Sequence, residues 1–144
     1  MIRPGLLAAA GLLLATPCFA QTVGPCPGNV GSAAVSKPRW VLFDLGSAVV
    51  KPEAKATIAE AAKIAKDRQA TKICVVGQTD KLGDKNYNAK LAQARSQAVA
   101  SELIHAGYPA QKVVIASNPE AFGNMSFGGE DASAKDRRVT ILFR

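Results

Sequence analysis

Two side chains stand out for the chemistry they could support together, Asp80 and Arg95. Arg95 shares the spacing of Leu91, Ala98, Val99 and Leu103, which puts it on the apolar face of a helix. A guanidinium cannot shed its charge at neutral pH, and desolvating it costs several kcal/mol. On an apolar face it therefore calls for a carboxylate beside it or an anionic ligand above it, unless it snorkels out at the helix edge. Asp80 lies 15 residues earlier, in a polar loop between a strand and that helix. A loop running from a strand's carboxyl end into a helix amino terminus also presents backbone N–H donors. Acid, base and donors converging at one place suit a zwitterion.

Catalytic chemistry has little to draw on. There is one histidine, His105, with no paired Cys/His or Ser/His arrangement, and its place near a helix end suits a dipole partner. Cys26, Cys74 and His105 are too few and too scattered for a zinc site. We expect no enzyme, no metal and no cofactor.

The elements that must position this pair are readable from pattern. Trp40 to Leu45 is an apolar run of strand length ended by Gly46-Ser47, with Trp40 read as a packing residue. Pro52 and Glu53 open a helix over about 52–68, with Ile58, Ala61, Ala62 and Ala65 at helical spacing. Lys51, Lys55, Lys63 and Lys66 read as its solvated surroundings. Ile73 to Val76 is a second strand, and Gln78 to Asn86 is the polar loop. A second helix runs from about Lys85 to His105, capped by Asp84 and stopped by Gly107. Val113 to Ala116 and Arg137 to Phe143 are the last strands, separated by a Gly-rich loop. This order predicts an α/β (α+β) two-layer sandwich, βαβαβ-loop-β, with two main helices on one face of a mixed four-stranded sheet.

Residues 1–20 have the form of a secretory signal peptide: Arg3, the apolar run Gly5 to Leu14, then small residues to Ala20. The apolar run is too short for a membrane span, so the mature chain is expected to carry no transmembrane helix. Cys18 is a poor lipidation site because Ala15, Thr16 and Pro17 precede it. Residues 21–38 are rich in Gly, Pro, Ser and Val without periodicity and read as a flexible leader, and 39–144 form one domain. The net charge of +7 becomes one unit lower with loss of Arg3, so the mature surface favours anionic partners. Export puts the protein in the periplasm, away from nucleic acid. It also places Cys26 and Cys74 where disulfides form. Alternation puts Cys74 with Val76 on the sheet face away from the helices, where a leader crossing that face would bring Cys26 into range; a buried free thiol is the other reading.

Several motifs together resemble a known family. Gly77-Gln78-Thr79-Asp80, Gly83, Tyr87-Asn88, Leu91, Arg95, Val99, Leu103 and Gly107 are similar to the signature Gly-His-Thr-Asp, Gly, Tyr-Asn, Leu-Ser, Arg-Ala, Val, Leu, Gly of the OmpA-like, peptidoglycan-binding domain. Asp136-Arg137-Arg138-Val139 resembles its closing Asn-Arg-Arg-Val, and Phe43-Asp44 through Pro52 resembles its first strand and the approach to its first helix. Gln78, Ala92 and Asp136 depart from the signature residues His, Ser and Asn, and Ala116-Ser117-Asn118-Pro119 replaces its Gly-x-Gly.

The resemblance implies non-catalytic binding of peptidoglycan through the diaminopimelate of the stem peptide, tethering the protein in the Gram-negative envelope, with outer-membrane or envelope-complex proteins as further partners. By position, Asp80 resembles the acid that receives the diaminopimelate amino group and Arg95 the base that pairs with its carboxylate. Thr79, Asn88 and Asp44 would add polar contacts, and Arg137 or Arg138 would face the site, since adjacent strand residues point to opposite faces. The alternative is the same fold kept as a periplasmic adaptor domain after wall affinity is lost.

Overall fold

The computed structural model describes residues 22–24, 26, 36–78, 84–116 and 137–144. Five strands and two main helices alternate along it: β1 (Thr22–Gly24), β2 (Arg39–Leu42), α1 (Pro52–Asp67), β3 (Ile73–Gly77), α2 (Lys85–His105), β4 (Val113–Ala116) and β5 (Arg138–Phe143). A 3-10 turn, Ala110–Lys112, leads into β4.

Local chemistry sets the helix limits. Pro52 occupies the first turn of α1, where its missing N–H is no loss, and Glu53 faces the positive end of the dipole. Asp84 caps α2, its carboxylate accepting from the Tyr87 amide at 2.9 Å. Past the other end, Gly107 takes φ +90°, a conformation that halts a helix at little cost only in glycine.

The sheet order is β1-β4-β3-β5-β2. β4 pairs parallel with β1 and β3, while β5 pairs antiparallel with β3 and β2. The four predicted strands form a mixed sheet with both helices on one face, as expected. Its fifth member lies within the stretch 21–38 read as a flexible leader: Thr22–Gly24 align with Val114–Ala116 and occupy the edge of β4. A parallel partner needs only a free edge, and the β-branched pair Thr22-Val23 suits a strand.

Strand alternation divides the apolar residues between two faces. Val41, Ile73, Val75, Val113, Ile115, Val139, Ile141 and Phe143 meet Ile58, Ala61, Ala62 and Ala65 of α1 and Val99, Ala100 and Leu103 of α2 in the main core. Cys74, Val76, Val114 and Leu142 form a smaller cluster on the far face. The helix side needs one close approach. A methyl group on Gly77 would lie 2.2 Å from the Ala92 carbonyl oxygen, so only glycine lets α2 seat against β3 at this point. Trp40 departs from its expected packing role. It points from the outer strand to the far face and remains 57% exposed.

Candidate functional site

Arg95 is fully buried, with 0% exposure, at the end of the sheet where β3 stops and the β2–α1 connection crosses. Three backbone carbonyls receive its guanidinium: Ser47 from Nε at 2.8 Å, Asp44 from Nη2 at 3.0 Å and Gln78 from Nη1 at 3.4 Å. The Phe43 ring lies beneath it, 5.3 Å from ring centre to Cζ. One side chain therefore ties the loop after β2, the carboxyl end of β3 and the middle of α2 together. The apolar spacing that marked Arg95 is real, and the side chain does not snorkel outward. At Ser47, Asp44 and Gln78 it is the main-chain carbonyl that accepts, so the guanidinium fixes the course of the backbone around it.

The loop that supplies two of those carbonyls is itself braced. Lys51 Nζ lies 2.7 Å from Asp44 Oδ1, and this hydrogen bond, with the attraction of the same carboxylate, raises the Lys51 pKa above its ordinary value. Both groups are exposed, so solvent screens the pair and it adds little to stability. Its role is directional: the Asp44 carboxylate turns to Lys51 while the Asp44 carbonyl serves Arg95. Phe43 is pinned from the other side, its amide donating to the Arg137 carbonyl at 2.8 Å and its carbonyl accepting from Arg137 Nε at 3.4 Å.

The two closing arginines part company. Arg137 continues the helix-side series of Val139, Ile141 and Phe143 and joins Phe43 beside Arg95. Arg138 lies on the far face, where its Nε donates to Gln78 Oε1 at 2.7 Å and its guanidinium covers the Trp40 ring at 5.9 Å. Asn88 stands seven residues before Arg95 on the same face of α2, half-buried, with its amide bonded to the Asp84 carbonyl at 3.0 Å. Thr79 and Asp80 lie outside the described residues.

Among the described residues no group of three His, Cys, Asp or Glu side chains could hold a metal, and no helix is long and apolar enough to cross a membrane.

The comparison with known families agrees with this geometry. The family model described as OmpA family matches residues 42–139, which runs from the end of β2 to β5 and takes in Phe43, Asp44, Ser47, Gln78 and Arg95. The chain belongs to the OmpA family. Among OmpA-family relatives, the probable lipoprotein YiaD of Escherichia coli strain K12 is 33% identical over 107 residues, covering 74% of this chain and 49% of that protein. Outer membrane protein A of Shigella flexneri is 32% identical over 135 residues, covering 85% of this chain and 38% of that one. The chain thus spans half or less of the length of these two relatives. Among solved structures, the peptidoglycan-associated lipoprotein of Burkholderia pseudomallei superposes with a TM-score of 0.62 at 26% identity, over 74% of this chain and 90% of that one. The periplasmic domain of Helicobacter pylori MotB (residues 97–256) superposes at 0.57 with 21% identity, over 74% of this chain and 80% of that chain, and shows the fold alone.

Two departures from the OmpA-family signature acquire a structural account. Gln78 offers a side-chain carbonyl to Arg138, holding the start of the loop to β5. Ala92 is buried at the crossing with Gly77, and a hydroxyl stands one turn later instead, where Ser96 Oγ donates to the Ala92 carbonyl at 3.0 Å. Ser47 was not legible in the sequence as part of the site because it contributes only its carbonyl. The one signal toward it was position, in the Gly46-Ser47 break that must end a strand.

Proposed function

We propose that this domain binds peptidoglycan non-covalently in the periplasm, through the zwitterionic end of the diaminopimelate residue, and tethers the protein in the cell envelope. The observation that carries the reading is the buried Arg95 guanidinium, held by main-chain carbonyls from two loops at the end of the sheet. Two of these bonds are short and one, from Nη1 to Gln78, is long at 3.4 Å. A ligand carboxylate would displace this weakest contact, since a bond between two ions outdoes one from a guanidinium to a neutral carbonyl. Asp80, two residues beyond Gln78 in sequence, would receive the ligand's ammonium group, with Thr79, Asn88, Asp44 and Arg137 as further polar contacts. The names of the relatives, a peptidoglycan-associated lipoprotein among them, support an envelope location and a wall ligand. The signal-peptide form of residues 1–20 supports export.

Sedimentation with purified diaminopimelate-type sacculi tests this. The protein is expected to pellet with the sacculi, and Asp80→Asn to stay largely in the supernatant while melting as the parent does. An Asp80→Asn, Arg95→Lys double variant that still folds and pellets undiminished would overturn the site assignment.

A second reading rests on Trp40 and Leu42, which are 57% and 54% exposed on the outer strand β2. An apolar pair beside an open strand edge suits a protein partner, as in an adaptor domain. Titration with free diaminopimelate separates the two. Amide shifts around Asn88, Arg95 and Gln78 are expected for wall binding, whereas none there, with shifts along β2 on adding an envelope partner, would favour the adaptor.

A further inference from the structure

The far face of the sheet carries its own chemistry. Cys74, Val76, Val114 and Leu142 are buried there, with Cys26 and Ala116 packed against them. Cys74 belongs to β3 and Cys26 to the segment after β1, so two cysteines 48 residues apart in sequence meet on one surface. The register shows what this takes. Val114 of β4 lies opposite both Thr22 and Cys74. Cys26 comes four residues after Thr22, so a straight continuation of β1 would carry it about 13 Å past the level of Cys74. It lies back over the sheet face instead, and the two thiols share a hydrogen bond. Both are free thiols in this structure.

A cation completes the cluster. By alternation from Leu142, Arg144 falls on the same face. It is 7% exposed, and its Nε and Nη1 are buried with no hydrogen-bond partner among the described residues. Its positive charge bears on both sulfurs, with Lys72 adding to it at Cys74. The hydrogen bond from Cys74, aided by Arg144, holds the Cys26 thiol below its ordinary pKa against the opposing effect of burial. The same hydrogen bond and burial push Cys74 up.

We propose that Cys26 and Cys74 form a disulfide that fastens β1 across the far face of the sheet, with the buried Arg144 as the positioning cation on that face. Cys26 is half-buried and Cys74 fully so, which sets the order of events. The Cys26 thiolate attacks a disulfide oxidant, forming a mixed disulfide and expelling one thiolate of the oxidant. Cys74 then gives up its proton, and its sulfur attacks Cys26, expelling the second. Two protein thiols lose two electrons and two protons, and the oxidant disulfide becomes two thiols. The bond would also keep β1 on the otherwise open edge of β4.

The test uses the full chain, folded and reduced, then exposed to glutathione disulfide, alkylated and mapped by peptide mass. A peptide holding Cys74 is expected to be joined to one holding Cys26. The link should persist in Cys18→Ser and vanish in Cys26→Ser. Amide exchange over residues 22–24 should slow roughly tenfold or more on oxidation. Alkylation of reduced Cys26 at neutral pH should slow severalfold in Arg144→Gln, with its pH profile moved upward, and recover in Arg144→Lys. Free alkylation of both cysteines after oxidation, or glutathione adducts with no internal link, would overturn the disulfide. An unmoved Cys26 pH profile in Arg144→Gln would overturn the role of Arg144. Sacculus sedimentation is a separate readout, so the failure of either proposal leaves the other standing.

Discussion

Arg95 and Arg144 are both buried arginines, one on each side of the sheet, and they are held in opposite ways. Arg95 has main-chain acceptors for Nε and both terminal nitrogens and an aromatic ring beneath it. Arg144 has Nε and Nη1 buried without hydrogen-bond partners among the described residues, and its charge acts on the two thiols of the same face. The first is built into the fold, and removing it leaves carbonyls stranded. The second costs stability as it stands and acts on its neighbours through charge. Burial alone thus says little about what an arginine does, whereas its acceptors say a good deal.

This contrast can be broken by substitution. Arg95→Met should destabilise the domain by roughly 3–5 kcal/mol, since three carbonyls lose their donor and two loops lose their tie. Arg144→Met should be neutral or stabilising by up to about 2 kcal/mol, because it removes buried unsatisfied donors. Urea midpoints of the two variants decide the matter, and comparable losses would dissolve the distinction.

Between these extremes lies the seating of the helix that carries Arg95. Gly77→Ala forces a methyl group against the backbone of Ala92, and a loss of about 2–3 kcal/mol is expected by the same measurement. A change under about 0.5 kcal/mol would mean that α2 shifts freely on β3.

The smallest effect concerns Tyr108, whose hydroxyl donates to the Ala70 carbonyl at 3.2 Å in the main core. Burial raises its pKa above the ordinary tyrosine value. The unfolded chain therefore ionises first, so the stability contributed by the neutral phenol is complete below about pH 10 and is lost as the pH rises through the folded value. Tyr108→Phe should flatten this alkaline decline in a series of denaturation curves. An identical decline in both proteins would assign it to other groups.

How much of this was legible in the sequence follows from what kind of atom does the work. The limits of α2 were readable at Asp84 and Gly107 because a cap and a positive φ are matters of single-residue chemistry. The burial of Arg95 was readable from the period of its apolar neighbours. Its acceptors were not, since carbonyls leave no trace in residue type. Three residues of β1 show no period, and their partner lies some ninety residues away, so only the folded sheet reveals them. Trp40 misled because a large aromatic in a strand usually packs, and nothing local marks β2 as the outer strand. Gln78 departs from the family's histidine but keeps a donor and an acceptor, and its side chain bonds an arginine that only the sheet register brings alongside.

The central claim concerns the Arg95 end of the molecule, and sacculus sedimentation across the contrast tests it most directly. Parent and Arg144→Met proteins should pellet alike with diaminopimelate-type sacculi, while a folded Asp80→Asn protein should remain in solution. Equal sedimentation of all three, or of none, would contradict the assignment of wall binding to the Arg95 end of the fold.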